Sequence, residues 1–286
     1  GSLSTPTLGT SNVRFGVNAG NSIVSGGNYN TAVGDNAGTA LTTGSFNTLL
    51  GVFAGDAIID SNSNVAVGYS ALSADTKGAK SVAVGVSTLL AQNFTSATDA
   101  FNTAVGHNAG KAVTTGIGNT FVGGSAGDAF TDADFNVAMG YLALGADTKG
   151  SRSTAIGTAA LTSQNFTSAT DAYNTAVGND AAALNQTGVN NTAIGGRALK
   201  ANTTASNNTA VGKDALFANT TGANNTSVGA FALDKNTTGA SNVAVGQGAF
   251  TENTTGSSNT SVGTDALGNN TTASYNTAVG RDALKT

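Results

Sequence analysis

The chain has 286 residues, with 39 Gly, one Pro, no Cys and no Trp, and only 10% of its residues are charged. A net charge of −4 with 12 scattered basic residues argues against a sequence-independent grip on nucleic acid, which needs clustered Lys and Arg. Lack of cysteine removes disulfides and thiolate metal sites, and no apolar run is long enough for membrane insertion of this segment.

Residues 1–12 are rich in Ser, Thr and Gly, carry Pro6, the only proline, and read as a lead-in. The opening Gly1-Ser2 reads as a cloning scar, so the chain is expected to be a piece of something longer. Residues 13–286 form one repeat domain. Its unit is the phrase Asn-Thr-Ala-Val-Gly, unaltered at Asn30–Gly34, Asn102–Gly106, Asn174–Gly178, Asn208–Gly212 and Asn276–Gly280. Counting the final glycine of related phrases gives sixteen copies, from Gly16 to Gly280, and twelve of the fifteen gaps are 17 residues. A fixed short period of this kind is the signature of a solenoid, in which each unit touches only its neighbours.

A longer period is superimposed. Residues 31–102 and 103–174 are two versions of one 72-residue block, and the spacing from 175 to 286 is a uniform 17. Each block contains one 21-residue gap, whose four extra residues fall in Asn93–Ala100 and again in Asn165–Ala172. A solenoid accommodates insertions where its chain turns outward, so these are expected to be longer loops.

Thr-Ala-Val is a short β-branched run between Asn and Gly, which tolerate turn conformations; a second short strand is expected near the Ala-Leu pair that follows. Recurrent Gly and Asn disfavour helix. The fold class is therefore all-β, a parallel β-roll or solenoid of about sixteen coils, which at a ladder spacing of about 4.8 Å makes a rod of roughly 75 Å. Side chains alternate across a strand, so Thr and Val share one face and Ala the other. The larger apolar residues are assigned to the inside. The alanines, Ala32, Ala66, Ala104, Ala138, Ala176, Ala210, Ala244 and Ala278, are then left outside as a packing surface for another copy of the chain.

Asn-Thr-Ala-Val-Gly, two variable residues and Ala resembles the head repeat of YadA-like trimeric adhesins, over essentially Val13 to Leu284. That resemblance implies a left-handed parallel β-roll in a homotrimer. The 17-residue period and the Ala after the glycine depart from the family pattern. The longer form, running on through Ala-Leu to Asn-Thr-Thr-Gly, looks like repeats in virion structural proteins and phage tail fibres. The expected function is a structural and adhesive tail-fibre segment in the virion, attaching to a host cell-surface receptor such as a glycan. A bacterial trimeric autotransporter head on the outer surface and an ice-binding β-solenoid using the Thr column are the alternatives.

Chemistry is sparse. His107 is the only histidine and sits at a variable surface position, so no zinc or Cys/His site can be built in one chain. Asp132-Ala133-Asp134 has the residue types of a calcium-binding turn but reads as a solvated one. The Asn-x-Thr triplets at Asn202, Asn219, Asn236, Asn253 and Asn270 read as turns. No cofactor, metal or catalytic residue is assigned, and no enzyme activity is expected. The candidate receptor-contact residues are Asn93, Phe94, Asp99 and Phe101 in the first long loop and Asn165, Phe166, Asp171 and Tyr173 in the second; capping of the roll is the other role open to these aromatics.

Overall fold

Three residues of each phrase, Thr-Ala-Val or a variant, form a strand, and the rest of the coil is turn. The computed structural model describes residues 8–285; Thr286 and residues 1–7 of the lead-in, Pro6 among them, lie outside the described residues. Sixteen three-residue strands and four of two residues are present, and there is no helix among the described residues. The chain divides into two units, Gly1–Ala138 and Met139–Thr286, each a parallel β-solenoid.

In the first unit Val13–Phe15, Thr31–Val33, Thr48–Leu50, Val65–Val67, Val82–Val84, Thr103–Val105 and Thr120–Val122 pair in that order, parallel and in register. In the second, the strands from Thr154–Ile156 through Thr175–Val177, Thr192–Ile194, Thr209–Val211 and Thr226–Val228 to Thr277–Val279 do the same. Register places each column of the repeat directly over itself, so one position in the sequence becomes one line on the molecule.

The expected second strand near the Ala-Leu pair does not form. That stretch is a tight turn in which Asp214 and Leu216 adopt φ of 55° and 54°. Its hydrogen bonds still serve the stack: the Ala215 N–H donates to the Gly212 carbonyl, and the Leu216 N–H to Ala232 one coil on. The turn begins at the marked glycine. Gly212 has φ +134°, and a Cβ there would lie 2.6 Å from the Gly229 backbone carbonyl. The invariance of this glycine therefore has two causes, a left-handed backbone and contact between coils that leaves no room for a methyl group.

The strand faces are the reverse of the sequence expectation. Ala32, Ala66, Ala104, Ala138, Ala176, Ala210 and Ala244 are completely buried in the single chain and Ala278 nearly so, while the flanking Thr and Val are partly or fully exposed. These alanines line the inside of the coil and cannot be the surface on which another copy packs. The reason is width. Across the lumen most coils place one large apolar side chain, with a small strand residue opposite; the coil after Gly178 has Ala182 there instead.

That large residue comes from one of two places. In most coils it is four positions after the glycine, as Leu72, Leu89, Leu144, Leu199 and Leu216, and the seventh position is polar. Where the fourth position is Gly38, Gly55, Gly110 or Gly127, the seventh is Leu41, Ile58, Val113 or Phe130, all fully buried. The strand residue grows in step. A Cβ on Gly38 would meet Leu49, and one on Gly110 or Gly127 would meet the Phe121 ring. Volume removed at one point is restored at another, as close packing demands.

The remaining interior is polar and for the most part hydrogen-bonded, with Asn208 Nδ2 buried without a partner. The phrase's asparagines stack in a buried ladder. The Asn225 N–H donates to Asn208 Oδ1 at 2.9 Å, the Asn242 N–H to Asn225 Oδ1 at 2.9 Å, and Asn242 Nδ2 to the Gly256 carbonyl at 2.8 Å. The first unit repeats the pattern at Asn30, Asn47 and Asn64. A second ladder runs through Asn185, Asn202, Asn219, Asn236 and Asn253, with Nδ2-to-Oδ1 distances of 2.6 to 3.1 Å. The Asn-x-Thr asparagines Asn202, Asn219, Asn236 and Asn253 are thus internal supports with fully buried side chains.

Gly212→Ala is expected to destabilise the chain by about 2 to 6 kcal/mol, combining backbone strain with overpacking. Gly196→Ala, exposed and with nothing within 4 Å of the new methyl group, should be neutral or slightly stabilising. Urea unfolding of the two variants measures the difference.

Candidate functional site

Two outward surfaces are left once the interior is accounted for. The first is the outer face of the strands. It has one column of Thr or Val and one column that is always apolar, from Phe15 and Val33 to Val262 and Val279. In the second unit Ile156, Ile194, Val228 and Val245 on this face are more than a third exposed. Neither column holds a charged residue in any coil. An apolar, uncharged array of this length on the outer face of a single chain is unusual.

The second surface is the corner just before each strand, together with the inserted loops. The proposed contact residues separate here. Phe94 and Phe166 are only 5% and 6% exposed, so they are not receptor contacts; they close the coil locally. Their N–H groups donate to Asp75 Oδ1 and Asp147 Oδ1. Asn93 and Asn165 are exposed and accept from the Thr76 and Thr148 hydroxyls. Asp99 and Phe101 meet at Lys80: its ammonium is 2.6 Å from the Asp99 carboxylate and 5.1 Å from the Phe101 ring centre. In the second block Arg152 bonds Asp171 at 3.0 Å and lies 5.9 Å from the Tyr173 ring. Lys becomes Arg and Phe becomes Tyr between the blocks, and the constellation is kept. All these charged groups are about half exposed, so each pair adds little stability.

Beneath each loop the asparagine ladder is spliced. Ser81 stands where the phrase has Asn, and Gln92 reaches in to replace the missing amide. Gln92 Nε2 donates to Asp75 Oδ2 and to the Ser81 hydroxyl, and Gln92 Oε1 accepts from Asn102 Nδ2 at 2.9 Å. Ser153, Gln164, Asp147 and Asn174 repeat this. These buried Asp and Gln residues hold the loops in place, and their role was not visible in the sequence. The signal available was their recurrence 72 residues apart.

Elsewhere the titratable groups are structural. Burial raises the pKa of Asp56 and Asp128, and that of Asp234 despite the neighbouring Lys235. Asp214 is also under pressure from burial, but hydrogen bonds from Arg197 and Lys213 outweigh it and lower its pKa. His107 is exposed beside the strand. Asp134 accepts from the Ile117 N–H, and Asp132 from the Thr131 hydroxyl. Among the described residues no group of three or more His, Cys, Asp or Glu side chains could hold a metal ion, and no helix could cross a membrane. No family model, curated protein or solved structure matches the chain.

Asp56 gives a clean pH prediction, because its Oδ1 is buried with no hydrogen-bond partner. Its folded-state pKa lies above the ordinary 3.8, so the stability linked to protonation is complete below that value and lost as pH rises through the folded one. Asp56→Asn should therefore raise the thermal midpoint at pH 7 by a few degrees. The gain should vanish as the pH approaches 3.8. Calorimetry across that range checks both statements.

Proposed function

We propose that this chain is a structural and adhesive segment of a phage tail fibre, working as a homotrimer in host-cell attachment. The observation that carries this reading is the uncharged strand face, apolar in one of its two columns at every coil. Copies aligned in parallel around an axis bring each coil against the same coil of its neighbours. An apolar column can meet itself in that arrangement, whereas a charged column would repel itself. The trimer surface is thus reassigned from Ala32, Ala66 and their equivalents to the Thr/Val face. The resemblance to YadA-like head repeats supports the same assembly. The loops holding Asp99 and Phe101, and Asp171 and Tyr173, would be presented three times over, so that weak contacts combine through effective concentration.

A bacterial trimeric adhesin head would use the same coils and the same face. An ice-binding role gains one observation, since the Thr column points outward, but Val65, Val82, Val137 and Val243 interrupt it.

Light scattering should give three times the 27.8 kDa chain mass. The double variant Ile194→Lys with Val228→Lys should dissociate and keep its β circular dichroism, because both side chains already reach solvent. Ala210→Lys should instead unfold its neighbourhood, since it places an ammonium inside the coil. A native chain that is monomeric at micromolar concentration would sink the reading.

A further inference from the structure

We infer that the corner of the first unit around Phe46 is a saccharide-binding site, a ligand class that rests on the attachment function proposed above. The corner position of every coil has a left-handed backbone. Five consecutive coils of the second unit fill it with Asn190, Asn207, Asn224, Ser241 and Ser258, mostly Asn, the residue that best tolerates that conformation. The first unit places Tyr29, Phe46, Phe101 and Phe135 there, and the second unit Tyr173 and Tyr275, at φ between 50° and 63°. Bulky side chains are disfavoured at such φ, and the Tyr29, Phe46 and Phe101 rings are more than half exposed. Strained backbone carrying exposed rings is a feature of ligand sites, and at Phe46 the ring is also stacked on its neighbour Tyr29.

The surroundings specify the ligand. Tyr29 stacks on one side of Phe46, at 5.3 Å between ring centres and 10° between planes. The next coil carries only Ser63 at this position, so nothing of ring size covers the other side. Beside Ser63 opens a groove of about 420 Å³ whose lining includes Asp60, Asn62, Lys77 and Asp99. The backbone register ties the two features together, because the Ser63 N–H donates to Ser45 and the Lys80 N–H to Asn62. A flat apolar ring next to carboxylate, amide and ammonium groups matches a sugar, which has one C–H face and a rim of hydroxyls. The groove carries both charge signs, so it offers no preference for a strongly anionic or cationic ligand.

The test is binding of the native protein to an array of immobilised bacterial-surface and plant oligosaccharides, with intact Gram-negative cells measured in parallel. At least one sugar class should bind. Phe46→Ala and Lys77→Gln should each weaken it tenfold or more, with solution mass and circular dichroism unchanged, and Phe46→Trp should retain it. An array that stays blank while cells are bound overturns the saccharide and leaves attachment standing. A blank array with no cell binding overturns both. Sugar binding unaffected by Phe46→Ala moves the site elsewhere and overturns this assignment.

Discussion

The structure depends on how closely one coil approaches the next at the last residue of the phrase. Backbone carbonyls of successive glycines stack with too little space between them for a methyl group, at Gly16, Gly34, Gly51, Gly68, Gly85 and Gly106 in the first unit and from Gly140 to Gly263 in the second. That approach sets the strand register, and the register turns each repeat position into a column. The asparagine at the other end of the strand works from the same geometry. Its carboxamide reaches the following coil, where Asn225 Oδ1 accepts the Asn242 N–H and Asn225 Nδ2 donates to the Gly239 carbonyl. Buried amides left unpaired would cost about 1–3 kcal/mol each, so a ladder in which most amides are paired favours one register over any slipped alternative.

A narrow lumen follows from a 17-residue circuit. It holds one large side chain in most coils, two lines of alanine and the amide ladders. Nothing bigger than Ala can face inward from most strands, so Val and Thr must face out. The apolar exterior is therefore built into the repeat, and a partner is the simplest way to remove it from water. The proposed association and attachment roles would draw on different parts of the coil. The strand face is uniform along each unit, as suits like meeting like. The corner and the inserted loops vary from coil to coil, as suits recognition.

Much of this was legible in the sequence. The period, the all-β class, the strand at Thr-Ala-Val and the turn role of the glycine all come from local pattern. The direction of the strand faces was not. Alternation says that Ala and Val lie on opposite sides, but which side is inside depends on the width of the lumen, a property of the closed coil. The clue was the coupling of Leu49 and Phe121 to Gly38, Gly55, Gly110 and Gly127, which makes sense only if all of them share an interior. The asparagines were misread in part for a similar reason: turn propensity explains Asn at a corner, yet only stacking reveals that the side chain points inward. Phe94 and Phe166 lie in the inserted loops, where exposure is the usual expectation, and the buried Asp75 and Asp147 that anchor them could not be singled out among 16 carboxylates.

The central claim is that the phrase's asparagines point into the coil and bind it to its neighbours, which places Ala inside and Thr and Val outside. Hydrogen exchange of the asparagine side-chain amides, followed by NMR in the native protein, tests it most directly. The NH₂ protons of Asn191, Asn225 and Asn242 should exchange orders of magnitude more slowly than those of the exposed Asn269 and Asn179. Exchange of all of them at the rate of free asparagine would contradict the ladder and, with it, the assignment of the two strand faces.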